Sequence, residues 1–355
     1  MKFFDFVIVG GGISGLITSY FLRGYNTLLI DKSDILSGAS GAAGAFLFPK
    51  IGLKSAYTDF VNEAIIEAVD FYKNIGIDTH TRGVLILPRD EKDISKFKEY
   101  EKFITLPFKK IDNGFFFKIG SFIEPNDVKK LLKVPFKRVN LESVEKKDNY
   151  WVINNTIKTK NIIFANGYSF KNEYINIRPI WGERIEIVGD FEKKEIFYHK
   201  NVSVALIDNK LRIGATHKRG DNFKINKEEA FLLVKKAKEI INIKDFEIDN
   251  IKGGYRAGSI DYFPVVGKII DVRKTILNDK YIVKGDMPKD IFYKEGLYVI
   301  NGMGGRGYSN ALKSAKYLKD VIENSVFNKY LDTKRLFIKW ARKKGEEYLD
   351  NLFKR

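Results

Sequence analysis

The pattern of apolar and polar residues predicts alternating strands and helices at the start of the chain. Residues 4–9 form a short, largely apolar run, which suits a strand covered on both faces. A helix is predicted over residues 14–23, and a second strand over residues 27–30 ends at Asp31. A glycine-rich turn separates the first strand from the helix.

Helical and strand-like segments continue through the rest of the chain. Residues 56–74 are predicted to form an amphipathic helix, because their apolar residues recur at helical spacing. Further helices are expected over residues 227–241 and 309–324. Strands are expected at residues 84–87, 162–167 and 297–300, within 178–214, and in hairpins that turn at Asn154 with Asn155 and at Asp208 with Asn209. Parallel-sheet segments at the start, middle and end, with antiparallel material between them, predict two interwoven domains.

Composition narrows the class of protein. The chain has 355 residues and is 44% hydrophobic, which is enough for a packed core in two domains. It contains no cysteine, which excludes disulfides, thiolate metal ligands and a catalytic thiol. His80, His199 and His217 lack the spacing of metal ligands, so no metal site is predicted.

Neither a signal peptide nor a membrane span is expected. Residues 1–9 lead directly into the first strand and leave no room for an apolar segment with a cleavage site. No run approaches the roughly 20 apolar residues that a membrane span requires. Together with the absence of cysteine, this favours a cytoplasmic protein without a membrane partner.

The charge balance indicates a polyanionic partner. The chain has 62 lysines and arginines against 45 acids, a net charge of +17. This surplus favours nucleic acid, since no lipid-binding helix stands out. A basic helical tail is expected over residues 326–355, where Phe337 and Trp340 interleave with basic residues that include Lys354 and Arg355. These aromatic side chains either stack on RNA bases or pack on the body of the protein.

A glycine motif at residues 10–15 indicates a dinucleotide site. Its sequence, GGGISG, matches G-x-G-x-x-G between a strand and a helix. Gly10 makes the tight turn, Gly12 lets the backbone approach a pyrophosphate, and Gly15 lets the helix pack on the strand.

The ends of the neighbouring elements complete this site. The helix begins near Ile13 and Ser14, where free N–H groups and the positive end of the helix dipole attract phosphate. Asp31 lies about 20 residues after the first glycine and is followed by Lys32, a position suited to binding the adenosine ribose hydroxyls.

FAD is predicted in preference to a nicotinamide dinucleotide. The motif lies at the very start of the chain. Residues 162–167, IIFANG, place a small-residue turn with Ala165 and Gly167 after a buried strand, which is common in FAD enzymes.

Residues 38–49, GASGAAGAFLFP, resemble the flavin loop of the D-amino-acid-oxidase/glycine-oxidase superfamily. This adds Ser40 and Gly41 to the expected cofactor contacts. Within the superfamily, the chain resembles the FAD-dependent C-terminal half of the bifunctional tRNA wobble-uridine modification enzyme MnmC. Further similar segments follow in the same order and extend the resemblance over nearly the whole chain: residues 178–183, 211–221, 255–267, 302–308 and 331–344.

The resemblance implies an α/β fold of the glycine-oxidase type. In this fold a Rossmann-type FAD-binding domain is interwoven with a substrate domain built on a mixed or antiparallel sheet. The expected FAD-binding domain is discontinuous and comprises residues 1–80, 134–172 and 290–325. The expected substrate domain comprises residues 81–133 and 173–289, and the tail covers residues 326–355.

The resemblance also implies a reaction. Enzymes of this kind oxidise the 5-carboxymethylaminomethyl group of the wobble uridine by hydride transfer to the flavin. Hydrolysis of the resulting imine releases glyoxylate and leaves 5-aminomethyluridine. The site must therefore hold a carboxylate, for which the two-pronged arginine side chain is suited.

Two arginines lie at positions where related amine oxidases bind the substrate carboxylate, Arg256 and Arg306. Tyr255 and Tyr308 are candidates for the walls of the same pocket. The glycines around Arg306 are expected where the backbone approaches the flavin, namely Gly304, Gly305 and Gly307.

The leading hypothesis is an FAD-dependent oxidoreductase that acts on the CH–NH bond of this tRNA nucleoside. One alternative is a small-molecule oxidase or dehydrogenase for glycine, sarcosine or a D-amino acid. The other is a flavin-containing accessory protein that binds RNA without turnover. Residues 42–44 and Trp181 depart from the pattern of the tRNA-modifying family, so the small-molecule alternative stays open. The oligomeric state is not predicted.

Overall fold

The computed structural model describes residues 2–286 and 288–353. Its strands are β1 (Phe3–Val9), β2 (Thr27–Asp31), β3 (Phe46–Leu47), β4 (Val84–Ile86), β5 (Lys109–Ile111), β6 (Gly114–Phe117), β7 (Ser121–Phe122), β8 (Phe136–Arg138), β9 (Val144–Lys147), β10 (Tyr150–Ile153), β11 (Ile157–Phe164), β12 (Arg178–Phe191), β13 (Phe197–His199), β14 (Ser203–Ile207), β15 (Lys210–Gly214), β16 (Lys218–Arg219), β17 (Ile243–Gly258), β18 (Val265–Ile270) and β19 (Tyr293–Asn301). Its helices are α1 (Ile13–Phe21), α2 (Ala39–Ala42), α3 (Ala56–Asn74), α4 (Glu91–Tyr100), α5 (Lys227–Ala237), α6 (Val272–Asn278), α7 (Gly307–Asn324) and α8 (Lys334–Phe353).

The first sheet has a parallel centre in the order β19, β11, β1, β2 and β8. β18 pairs antiparallel with β19 at one edge, and the β9–β10 hairpin attaches to β11. Val7 and Ile8 in β1 are fully buried, because the core that contains α1, α3 and α7 covers one face and a second core covers the other. The carboxyl ends of β1, β2, β11 and β19 meet at one edge, where open α/β sheets bind ligands.

The second sheet is mainly antiparallel, in the order β16, β12, β15, β14, β13, β4, β6 and β5. β17 pairs with β12 along almost its whole length, from Arg178 opposite Gly258 to Phe191 opposite Ile243. Helix α5 packs on this sheet through a separate apolar core. Two mixed sheets with flanking helices confirm the predicted α/β fold.

Both predicted hairpin turns are present. Asn154 and Asn155 have φ angles of 48° and 55°, and Asp208 and Asn209 have φ angles of 50° and 59°. Two consecutive left-handed residues form the tight turn that fits the twist of antiparallel strands, and asparagine and aspartate tolerate that conformation. The helix predicted over residues 227–241 is shorter and ends at Ala237.

The sequence-based division into domains stays a prediction. One observation bears on its boundaries: β18, whose residues it assigns to the substrate domain, is hydrogen-bonded into the first sheet. In the tail, α8 runs along the body of the protein. Lys354 and Arg355 lie outside the described residues. No helix within residues 2–286 and 288–353 is long and apolar enough to cross a membrane.

Two aromatic side chains of the tail, Phe337 and Trp340, pack on the core of the protein. Phe337 is fully buried and meets Tyr174 edge-on with ring centroids 5.5 Å apart. Trp340 stacks beside Phe337 at 6.2 Å and is partly buried. Of the two alternatives for these side chains, the structure therefore shows packing on the body of the protein.

Candidate active site

A cavity of about 1220 Å³ opens at the carboxyl edge of the first sheet and extends to β12, β15 and β17 of the second. This exceeds the ~300–1,000 Å³ that is usual for a small-ligand pocket, and so leaves room for a dinucleotide together with a substrate. All of the predicted cofactor and substrate residues line it except Gly15 and Gly41. The lining set is Gly10, Gly12, Ile13, Ser14, Asp31, Lys32, Ser40, Ala165, Gly167, Tyr255, Arg256, Gly304, Gly305, Arg306, Gly307 and Tyr308.

The glycine turn at one end of the cavity has no space for side chains. Gly10 has a φ of 118°, and a Cβ on it would lie 2.5 Å from the carbonyl oxygen of Ala165 at the end of β11. A Cβ on Gly15 would lie 1.8 Å from the carbonyl oxygen of Gly10. Gly15 therefore acts through helix–strand packing, which explains why it does not line the cavity.

Helix α1 presents its N-terminus to this end of the cavity. Its first intrahelical bond runs from the Leu16 amide to the Gly12 carbonyl, so the preceding amides have no partner within the helix. Ser40 Oγ accepts the Ile13 amide at 3.0 Å and so joins the loop at residues 38–44 to the helix. The Ser14 amide also belongs to this first turn, which is suited to a pyrophosphate.

Asp31 is held in position by the backbone around it. Its Oδ2 accepts the Gly11 amide at 2.7 Å, and its Oδ1 accepts the Ser33 amide at 2.8 Å. A carboxylate oxygen can accept two hydrogen bonds, so both oxygens retain a site for a ribose hydroxyl. Lys32 beside it is exposed.

A buried polar atom without a partner supports the fit of a nucleotide cofactor. Asn166 Oδ1, between Ala165 and Gly167, is buried in the cavity wall and accepts no hydrogen bond from the described residues. An unsatisfied buried acceptor costs free energy unless a ligand or water supplies a donor. The glycine turn, the carboxylate of Asp31 and this acceptor together suit a dinucleotide with ribose hydroxyls.

The loop at residues 38–44 is fixed by buried side chains from other elements. Tyr308 Oη donates to the Ser40 carbonyl at 2.8 Å, and Arg184 Nε donates to the Ala42 carbonyl at 2.9 Å. A Cβ on Gly41 would lie 2.0 Å from the carbonyl oxygen of Leu36, so this glycine allows the turn to close. The loop is therefore held in place before any ligand arrives.

Arg256 projects from β17 into the cavity. Its Nη1 donates to the Thr216 carbonyl at 3.2 Å, and burial lowers the pKa of its guanidinium. The guanidinium occupies the space that a side chain on Gly182 would fill, because a Cβ there would lie 2.1 Å from Nη2. A Cβ on Gly305 would lie 3.9 Å from Arg256 Cδ. Arg256 thus lies between β12 and the glycine turn before α7.

Arg306 lies in that glycine turn, the 3₁₀ segment Gly304–Arg306. Its Nη1 donates to the Phe48 carbonyl at 2.7 Å, and burial lowers its pKa. Burial, together with the charge of Arg306, also lowers the pKa of nearby Lys50. Among the described residues, no acidic side chain forms an ion pair with Arg256 or Arg306.

The two predicted tyrosines are held by backbone contacts. Tyr255 Oη donates to the Phe223 carbonyl at 3.2 Å, and its ring lies between Tyr168 and Trp181 with centroids 4.9 and 4.8 Å away. Tyr308 is buried, and its hydroxyl is engaged by the Ser40 carbonyl. Both side chains form walls of the cavity.

Glu183 and His199 are among the cavity residues that were not identified from the sequence. Glu183 is fully buried; its Oε1 accepts the Trp181 indole N–H at 2.9 Å and the Asn226 amide at 3.0 Å, whereas Oε2 has no partner among the described residues. Glu183 ends the segment at residues 178–183 that carries part of the family resemblance, and this was the only indication of its role in the sequence. His199 lines the same cavity, with Nδ1 2.9 Å from Ser203 Oγ, and a single histidine outside any motif gave no signal.

We expect Gly182→Ala to displace the Arg256 guanidinium, because the new methyl group would overlap Nη2. Turnover should fall roughly ten-fold or more, since a small misplacement of a positioning group is costly. The flavin content of the purified protein, measured by absorbance, should stay near that of the wild type. Unchanged turnover with full flavin occupancy would show that the position of Arg256 is unimportant.

His199 predicts a pH dependence of stability. Burial, followed by the charges of Arg306 and Arg89, lowers its pKa from 6.5 to about 4. Folding thus favours the neutral form of His199. Its contribution to the free energy of unfolding is fully present above pH 6.5 and is lost as the pH falls through about 4. Urea denaturation between these pH values should show a larger loss of stability in the wild type than in His199→Gln. Equal losses in the two proteins would contradict this assignment.

Comparison with known proteins places the chain in a family. The family model for FAD dependent oxidoreductases, DAO, matches residues 5–137 and 135–321. The tRNA 5-methylaminomethyl-2-thiouridine biosynthesis bifunctional protein MnmC of Leptospira borgpetersenii serovar Hardjo-bovis (strain JB197) is 24% identical over 371 residues. That match covers 89% of this chain and 56% of the relative, so the chain spans about half the length of this curated protein.

Solved structures share the fold at low sequence identity. Glycine oxidase from Geobacillus kaustophilus matches with a TM-score of 0.76 at 15% identity, over 93% of this chain and 97% of that one. The dithionite-reduced L-α-glycerophosphate oxidase of Mycoplasma pneumoniae, solved with FAD bound, matches with a TM-score of 0.72 at 16% identity, over 91% and 95% of the two chains. The chain therefore belongs to the DAO family of FAD-dependent oxidoreductases, with FAD as its cofactor.

Proposed function

We propose that this oxidoreductase cleaves a carbon–nitrogen bond in a carboxylate-bearing amine, the 5-carboxymethylaminomethyl group of the wobble uridine of tRNA. The products are 5-aminomethyluridine and glyoxylate. The observation that carries the proposal is the pair Arg256 and Arg306, two cavity-lining guanidinium groups without an acidic partner among the described residues.

The cost of burying these charges supports an anionic substrate. A buried cation without a counter-charge is unfavourable, and within the described part of the chain each guanidinium is compensated only by a backbone carbonyl. The remaining N–H groups are suited to a carboxylate, which accepts two parallel hydrogen bonds from one guanidinium. An N-substituted glycine brings such a carboxylate next to the carbon that is oxidised.

The residues of the chain contribute binding, orientation and exclusion of water. Arg256 and Arg306 hold the carboxylate and thereby fix the position of the adjacent CH₂ group. FAD, when bound, would supply the acceptor for the hydride that leaves this carbon. The amine then becomes an imine, and one water molecule hydrolyses it to the primary amine and glyoxylate. Neutral His199 and the orphaned oxygen of Glu183 lie in the same cavity, available to accept hydrogen bonds from the substrate.

Two further features support tRNA as the carrier of this group. The net charge of +17 favours a polyanion, and the curated relative that matches 89% of the chain is named for tRNA modification. The absence of cysteine favours a cytoplasmic location, which we propose for the reaction. Because the chain shares its fold with a glycine oxidase, a free amino acid is the second candidate substrate.

The decisive experiment compares the two substrates. The purified FAD-loaded protein is incubated with tRNA that carries 5-carboxymethylaminomethyluridine, and the nucleosides are then analysed by mass spectrometry. We expect 5-aminomethyluridine to appear. Rapid anaerobic bleaching of the flavin by glycine, sarcosine or D-alanine, with the tRNA nucleoside unchanged, would instead establish the small-molecule function.

A further inference from the structure

A row of aromatic side chains, here called the aromatic ladder, leads from the cavity to the surface. It consists of Tyr57, Tyr262, Phe263 and Tyr330. Tyr57 lines the cavity, and its ring centroid lies 5.9 Å from that of Tyr262 and 5.2 Å from that of Phe263. Phe263 stacks on Tyr330 at 5.0 Å with an interplanar angle of 14°. The ladder therefore joins the candidate active site to solvent through aromatic contacts.

The outer members of the ladder are unusually accessible for aromatic residues. Tyr262 is 66% exposed and Tyr330 is 39% exposed. Tyr262 also has a φ of 69°, a conformation that costs a bulky residue free energy and persists where the surroundings impose it. A contiguous exposed apolar patch, unlike a single exposed side chain, commonly marks a site of interaction.

The loop that carries Tyr262 is firmly anchored. Arg335 of α8 forms a two-pronged ion pair with Asp261, through Nε at 2.9 Å and Nη2 at 3.2 Å. The same guanidinium donates to the carbonyls of Phe263 and Pro264. Asp261 is thereby neutralised, and Tyr262 is presented on a rigid support. A preorganised surface loses little entropy when it binds a partner.

Lysines accompany the ladder. Lys50 Nζ lies 5.9 Å from the centroid of the Tyr57 ring, and Lys329 Nζ lies 5.0 Å from that of Tyr330. Nearby along the chain, Lys334 Nζ lies 5.1 Å from the centroid of the exposed Phe327 ring. Proteins that bind single-stranded nucleic acid combine aromatic side chains, on which the bases stack, with nearby cationic side chains.

We propose that the aromatic ladder and its lysines form the docking surface for an unpaired RNA loop, whose bases stack on Tyr262 and Tyr330. This rests on the proposed function, because a wobble nucleoside must leave its loop to enter the cavity. Charge complementarity favours RNA over a second copy of the chain, since both copies would carry +17. The ladder then guides the extruded nucleotide past Tyr57 towards the arginines.

The test measures RNA affinity with the FAD-loaded full-length protein. An end-labelled anticodon stem-loop RNA is titrated by fluorescence anisotropy against the wild type, Tyr262→Ala and Tyr330→Ala. Each substitution should weaken binding by roughly ten-fold, since stacking of a base on an aromatic side chain contributes that order of affinity. Lys329→Gln should reduce the slope of log affinity against log salt by about 0.7 if it contacts one phosphate.

Tyr281 provides a matched control. It is 64% exposed and has Lys284 Nζ 5.7 Å from its ring centroid, but it lies in the 3₁₀ segment Lys280–Lys284 that packs on α8. Tyr281→Ala should bind RNA as the wild type does. Equal losses in Tyr281→Ala and Tyr262→Ala would overturn the proposal, and so would a change of oligomeric state in Tyr262→Ala without any loss of RNA affinity.

Different experimental results would contradict the docking surface and the proposed function. If the wild type converts the tRNA nucleoside but the Tyr262 and Tyr330 variants bind RNA normally, the docking surface is wrong and the function stands. If these variants lose RNA affinity but the wild type leaves the nucleoside unchanged, the surface stands and the reaction is wrong. Full flavin absorbance in each variant shows that the protein is folded.

Discussion

Replacing Arg256 with alanine is expected to lower kcat/KM by about 2–5 kcal/mol of transition-state stabilisation, a factor of roughly 30 to 5,000. The guanidinium lies in the cavity and has no acidic partner within residues 2–286 and 288–353, so a substrate carboxylate would be its counter-charge. Removing it leaves the buried carboxylate with only one of its two guanidinium partners, Arg306. Steady-state kinetics with the carboxymethylaminomethyl substrate measure the effect, and flavin absorbance checks that the cofactor still binds.

Two companion variants make this result specific. Arg256→Lys keeps the charge but loses the two-pronged geometry, so we expect an intermediate activity. Arg23→Ala is the matched control, because Arg23 also donates to a backbone carbonyl but is exposed at the end of α1, outside the cavity. Wild-type kcat/KM in Arg256→Ala with full flavin content would refute the role proposed for this side chain.

Replacing Arg184 with alanine is expected to lower the free energy of unfolding by about 3–5 kcal/mol. Arg184 is 2% exposed and forms an ion pair with Glu186. The Oε1 atom of Glu186 also lies 3.4 Å from Nε of Arg212. Loss of one arginine leaves buried charge poorly compensated. It also removes the hydrogen bond to the Ala42 carbonyl, so the flavin content should fall. Urea denaturation and flavin absorbance measure the two effects.

Two controls test whether the effect of Arg184→Ala comes from the burial of its charge. The double variant Arg184→Leu with Glu186→Leu removes both charges, and it should regain part of the lost stability because apolar groups replace a buried pair at little cost. The pair of Arg138 with Asp34 is exposed on both sides and is screened by solvent, so Arg138→Ala should change stability far less than Arg184→Ala does. Equal effects of Arg184→Ala and Arg138→Ala would contradict the buried-network interpretation.

These arginines differ in whether a carboxylate of the protein pairs with them. Arg184 forms an ion pair with Glu186 and donates to the Ala42 carbonyl, so it stabilises the fold and the loop at residues 38–44. Arg256 and Arg306 line the cavity and are unmatched among the described residues. The resemblance to related amine oxidases predicted a substrate role for Arg256 and Arg306, but the sequence gave no indication of the network around Arg184. Glu186 lies two residues from Arg184 on β12, but the burial of the pair and the contact of Glu186 with Arg212 on β15 are not visible in local sequence.

The sequence by itself determined the features whose physical basis is local. The G-x-G-x-x-G turn, the position of Asp31 and the paired turn residues at Asn154 with Asn155 depend on backbone conformation within a few residues. Each was predicted where the structure has it. The mixed α/β fold also followed, because the period of apolar residues reports which face of an element is buried.

Only the tertiary structure decided how distant segments combine. The fit of Arg256 beside Gly182 depends on the pairing of β12 with β17, and the place of His199 in the cavity depends on the second sheet. The burial of Phe337 against Tyr174 likewise rests on the docking of α8. Such contacts join residues tens to hundreds of positions apart. Local propensity carries no information about them, because the free energy that selects them comes from packing whole elements together.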